Sequence, residues 1–206
     1  GRVGEMACFH LGFRNAAPYQ GHQPTRSIAA LETSDWAAFT SDQMAALSTA
    51  QIRAISSVGI AAITTEALAG LETADLQALT TAQIRALTTV QISNLSAAQF
   101  ALLETRDIAA LSTTQVSQLK QDQISQLTTA QVKALETQQI KALGENQIRG
   151  FSSSQMAALS TDQLKALTTN QAKALSAVQV NALSSTQIAS IETADLAALS
   201  ADTTSG

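Results

Sequence analysis

Cys8, His10 and His22 are the only Cys and His side chains in the sequence. Cys-x-His followed by a distant His matches no standard zinc spacing, and Cys-x-x-Cys-His for covalent haem is absent. No metal or other cofactor is therefore expected. Four Glu/Asp pairs sit at i,i+3: Glu32 with Asp35, Glu72 with Asp75, Glu104 with Asp107 and Glu192 with Asp195. Paired carboxylates suggest acid–base chemistry or calcium, yet calcium needs more oxygen ligands than two. Their recurrence at equivalent places reads better as a variant helix start, with Thr33, Thr73, Thr105 and Thr193 as the caps. The abundant Ser and Thr hydroxyls would need an oriented base to act as nucleophiles. Both histidines lie near the N-terminus, so the rest of the chain offers no imidazole. Capping explains the hydroxyls instead. No catalytic, cofactor-binding or metal residues are expected, and the chain reads as no enzyme.

Composition removes further classes. Twelve Lys+Arg against 16 Asp+Glu leave a formal charge of −4, too balanced for a polybasic nucleic-acid binder or an acidic tail. Residues 120–175 hold the basic stripe of Lys133, Lys141, Arg149, Lys165 and Lys173, with Lys120, against four acids, Asp122, Glu136, Glu145 and Asp162, a surplus of only two. A nucleic-acid surface needs a clustered cationic excess, so this is a solvated face. No apolar run approaches the roughly 18 residues of a spanning helix. A single cysteine leaves the redox compartment open.

These residues are set on a repeat. Stepping by eight from Leu31 through Phe39, Leu47 and Ile55 to Leu199 meets 22 large apolar residues in 22 steps, without an insertion or deletion. With that residue as position 1, the unit is Leu–Ser/Thr–Thr–x–Gln–Ile/Val–x–Ala. Position 6 is the second apolar site, and its clear lapse is Ala172. Residues 1–30 differ in kind, holding both prolines and four of the nine glycines. The sequence thus divides into a non-repeat segment, 1–30, and an octapeptide array, 31–206.

One continuous helix is excluded, because eight residues turn through about 800° and the apolar stripe would drift ~80° per unit. A plain strand fails because positions 6 and 1 are separated by odd numbers of residues and fall on opposite faces. A short helix in each unit fits. Position 2 is Ser or Thr in 15 of 22 units, and position 5 is Gln in 15 of 21. This is a capping box: the hydroxyl accepts from the N3 amide and Gln returns to the N-cap amide. Ser48 with Gln51, Thr80 with Gln83, Thr88 with Gln91, Thr128 with Gln131, Ser160 with Gln163 and Thr168 with Gln171 all have it.

Charge sorting agrees. Every acid of the array occupies positions 2 to 5, whereas Arg53, Arg85, Lys133, Lys141, Arg149, Lys165 and Lys173 occupy position 7. A helix dipole favours acids in the first turn and bases in the last. The expected fold is all-α: a solenoid of very short helices, one per repeat, with breaks near positions 1 to 3. The competing fold is a two-faced β-solenoid, favoured by Thr at position 3 and Ile or Val at position 6. Gly59 and Ala67 depart from the pattern by losing the capping Gln, and unit 143–150 carries Gly144 and Gly150.

The units at 79–86 (Leu-Thr-Thr-Ala-Gln-Ile-Arg-Ala) and 127–134 (Leu-Thr-Thr-Ala-Gln-Val-Lys-Ala) resemble octapeptide arrays of very large bacterial secreted or surface proteins. Those proteins are labelled haem-utilisation, adhesin or haemolysin-like. The resemblance covers about residues 31–200 and implies a stalk, spacer or filament outside the cell. Residues 1–30 lie outside it and lack the apolar h-region of a secretory signal. The expected function is accordingly a structural extracellular repeat protein that associates with itself head to tail. The alternative is a solenoid module binding a peptide, glycan or nucleic acid.

Overall fold

A computed structural model describes residues 28–191, and these contain no strand. Twenty helices run from Thr33–Ala37 to Ser185–Ser190, one in every repeat, each four to six residues long. The all-α solenoid of very short helices is the observed fold, and the β-solenoid alternative is overturned. Residues 1–27, including Cys8, His10 and His22, lie outside the described residues, as do Glu192 and Asp195.

The helix in each unit starts for the reason the capping pattern gives. Ser48 is extended (φ −77°, ψ 157°) and its hydroxyl accepts from the Gln51 amide; Gln51 Oε1 accepts from the Ser48 amide at 2.8 Å. The six-residue helices end at position 1, and the shorter ones one or two residues before it. Leu135 closes Thr129–Ala134 with φ −63° and ψ 131°. Positions 1 and 2 are then extended in succession, and the next cap starts a new helix. The expected break reached one residue too far: position 3 is the first helical residue, as in Thr49–Ala54, Thr81–Ala86 and Thr129–Ala134. An N-cap at position 2 requires this, because its carbonyl already accepts from position 6 (Ile52 N to Ser48 O, 2.9 Å).

Helices this short are far below the ~12–15 residues that hold a helix in water. They persist by burying positions 6 and 1. Ile52, Ile84, Ile108, Ile124 and Val132 are wholly inaccessible, and Leu87, Leu111 and Leu135 nearly so. Ala172, the sequence lapse at position 6, is equally buried. The described residues fall into two compact units that meet in sequence between Leu95 and Ser96. Within each, every helix packs on the third helix along. In the first, Thr49–Ala54 lies against Thr73–Ala78; in the second, Thr113–Ser117 lies against Thr137–Ala142. Contacts three repeats away make each unit an α-solenoid stabilised by neighbour terms.

The first unit varies this packing. Trp36 replaces the aliphatic residue of position 6, stacks beside Phe39 (ring centroids 4.8 Å apart) and is fully buried. A Cβ on Gly59 would stand 2.7 Å from Trp36 Nε1, so the large indole requires the missing side chain. Gly70 permits a backbone approach in the same way: a Cβ there would run into the Ser41 carbonyl oxygen.

Candidate functional site

Position 5 carries the array's most specialised chemistry. In the capping box a Gln needs only its side-chain oxygen. Its nitrogen is also committed. Gln139 Nε2 donates to the carbonyl oxygens of Ile108 (3.0 Å) and Leu111 (2.7 Å), 31 and 28 residues earlier. Gln155 reaches Ile124 and Leu127 at 2.9 and 2.6 Å. Gln171 reaches Ile140 and Leu143 at 2.7 and 2.6 Å. In the first unit Gln83 joins Ile52 and Ile55 at 2.7 and 2.9 Å, and Gln91 joins Ile60 and Ile63 at 2.8 and 2.6 Å.

One amide therefore closes two helix ends. Oε1 accepts from the N-cap of its own helix, and Nε2 donates to carbonyls at the C-terminal end of the helix four repeats before. Short helices leave most of their terminal N–H and C=O groups without intrahelical partners. The Gln amides meet that demand at 0–8% exposure from Gln83 to Gln187 wherever the residue is buried. Each hydrogen bond contributes about 0.5–1.5 kcal/mol net, and a buried group left without one costs ~1–3 kcal/mol.

The ladder escaped the sequence reading, which assigned Gln to capping alone. A signal was present. Glu serves a capping box as well as Gln does, yet Glu never occupies position 5 in the 21 complete units. Only Gln adds donors to the accepting oxygen.

The Glu/Asp pairs need a correction. Glu32, Glu72 and Glu104 are themselves the N-caps, with extended backbones, and Thr33, Thr73 and Thr105 are the first helical residues. A cap requires non-helical φ/ψ at its own position, which the Thr residues lack. The Asp supplies the returning arm: Asp75 Oδ2 accepts from the Glu72 amide and Asp107 Oδ2 from the Glu104 amide, both at 3.3 Å. Asp75 is 5% exposed and Asp107 0%. Burial pushes both carboxyls above the usual carboxylate range; the Glu72 and Glu104 charges add to it, and the N-cap hydrogen bonds oppose it. Asp107 Oδ1 is a buried oxygen without a hydrogen bond, and Arg106 Nε stays 3.9 Å from it while holding Glu104 at 3.0 Å.

The remaining candidates are distributed rather than gathered. The capping hydroxyls of Ser48, Thr80, Thr88, Thr128, Ser160 and Thr168 all accept from the N3 amide. Lys133, Lys141, Arg149, Lys165 and Lys173 are exposed. Arg53 Nε donates to the Ala78 carbonyl oxygen at 3.2 Å, a cation at a helix C-terminus. Among the described residues no three His, Cys, Asp or Glu side chains come together as metal ligands, and no helix is long and apolar enough to cross a membrane.

The model of the ALTTAQ repeat matches five successive stretches: 37–71, 68–105, 100–137, 132–169 and 161–190. The chain belongs to the ALTTAQ repeat family. Each matched stretch spans about four octapeptides, the interval over which one ladder Gln reaches back. The ALTTAQ array is thus matched over the same repeats whose helices the structure describes. No curated protein matches the chain.

Proposed function

We propose that the ALTTAQ array is a structural element, a stalk, spacer or self-assembling filament subunit without catalysis, acting outside the cell or at its surface. The observation that carries this reading is the use made of its polar side chains. The hydroxyls of position 2 and the amides of position 5 are the side chains best able to recognise a ligand, and both are turned onto backbone groups of the array itself. A scaffold that binds its own turns in this way is suited to holding distance. The likeness of its units to arrays of large secreted and surface proteins supports the location.

Self-association is part of the proposal. Repeats that satisfy one another at fixed intervals offer the same geometry to a second copy. A head-to-tail contact of this heterologous kind extends into a filament unless its rotation closes a ring. Electron microscopy of the purified chain, with light scattering over a wide concentration range, tests it. Rods that lengthen with concentration are expected. Compact particles of constant monomer mass overturn the filament reading.

A further inference from the structure

Three successive repeats of the first unit lack the ladder amide: position 5 is Gly59, then Ala67, then Asp75. The ladder resumes at Gln83, whose acceptors are Ile52 and Ile55. Side-chain hydrogen bonds of residues 32–51 are local caps, so among the described residues no position-5 side chain ties this stretch to the next coil. What holds it is apolar contact, through Trp36, Phe39, Met44 and Leu47. Of the three substitutes, only Asp75 has a polar side chain in the slot.

The register fixes what that slot faces. Ladder donors reach carbonyls 31 and 28 residues back, which from Asp75 are those of Met44 and Leu47. Asp75 uses Oδ2 on the Glu72 amide, as every ladder Gln uses Oε1. By the same register its other oxygen would stand on the side of the Gln nitrogen, towards those two carbonyls. An ionised carboxylate offers only acceptors there, towards other acceptors; the neutral acid has one O–H to donate. We propose that Asp75 is a proton-operated rung, which fastens the 32–51 stretch when neutral and releases it when ionised.

The surroundings favour this behaviour. Helix Thr49–Ala54, packed against the helix of Asp75, carries one charged side chain, Arg53, and its Nε is engaged with the Ala78 carbonyl oxygen. Asp42, on helix Ser41–Ala45, is exposed, and a charge on Glu72 beside Asp75 disfavours a second one. Asp107 shows what the slot does to a carboxyl elsewhere in the array, leaving one oxygen buried without a hydrogen bond. The sign follows from the raised folded-state value. The contribution is full below the ordinary carboxylate range and is lost as pH rises through the value in the folded chain.

Hydrogen exchange of the full chain, read by mass spectrometry and corrected for intrinsic rates, tests the rung. The ratio of protection in segment 40–55 to that in segment 116–135 should fall severalfold between about pH 4 and about pH 7, approaching tenfold for each unit by which the pKa is raised. Asp75→Asn mimics the neutral acid in shape, and Asp75→Gln restores the family residue; both should hold the ratio constant. A constant ratio in the unaltered chain, or an equal fall in both variants, overturns the proposal. A carbon-13 titration of the Asp75 carboxyl in the unaltered chain gives a second reading that needs no variant. A midpoint at or below the ordinary carboxylate value also overturns it.

Discussion

Gln171 and Leu143 are 28 residues apart, and the Gln171 side-chain nitrogen lies 2.6 Å from the Leu143 carbonyl oxygen. The oxygen of the same amide accepts from the Thr168 backbone at 2.8 Å. A helix start and an earlier helix end are thereby joined by one planar group. Where N3 is a buried Gln, the side chain that begins the helix also ties it to the coil before.

Gln155→Glu separates the two tasks. The carboxylate still accepts from Ser152, but it has no donor for Ile124 and Leu127 and brings charge into a dry site. The expected loss is several kcal/mol at neutral pH, partly recovered in acid as the carboxyl protonates. Gln43→Glu is the control. Its slot is half-exposed and among the described residues it makes only the capping bonds, so a change of about 0.5 kcal/mol or less is expected. Urea denaturation at two pH values measures both.

Gly59→Ala should destabilise the first unit by about 1–3 kcal/mol, because the new methyl meets the buried indole of Trp36 at 2.7 Å. Trp36→Ile in the same chain should relieve most of that cost. A double-mutant cycle measures the coupling, and additive effects would refute the contact.

Leu111→Asp and Thr128→Ala contrast core with cap. Leu111 is 4% exposed and accepts the Gln139 amide through its carbonyl; an aspartate side chain there has no partner and should cost several kcal/mol. Thr128→Ala loses one cap hydrogen bond and should cost about 0.5–2 kcal/mol. Thermal unfolding followed by circular dichroism ranks them, with the Leu111 variant well below the other.

Glu72→Ser should stabilise the chain by about 0.5–1 kcal/mol by giving helix Thr73–Ala78 the hydroxyl cap it lacks. Thr73→Ala should change little, since Thr73 is the first helical residue. The reverse ranking by denaturation would restore Thr73 as the cap.

The local half of this fold was legible in the sequence. Ser48 with Gln51 announces a helix start by itself, because capping is a matter of four consecutive residues and no tertiary partner. The spacing of Ile52 and Ile55 likewise names the buried pair. The coil was not legible, for a physical reason: the distance from Gln171 to Leu143 depends on how successive helices turn, and that angle belongs to packing. Glu72 misled because Glu, unlike the shorter Asp, is outside the favoured caps, and the neighbouring Thr73 is the better capping residue by type. Gly59 was visible as a departure, but only the placement of Trp36, 23 residues before it, gives the cause.

The exchange rate of Gln side-chain amide protons, followed by nuclear magnetic resonance of the full chain, bears most directly on the ladder. Gln139, Gln155 and Gln171 each place their nitrogen on buried carbonyls, whereas Gln118 and Gln126 are exposed. The two-ended amide predicts NH₂ signals in the first group that exchange at least about a hundredfold more slowly than those in the second, as buried hydrogen bonds open only with local unfolding. Equal, solvent-like exchange in both groups would contradict it.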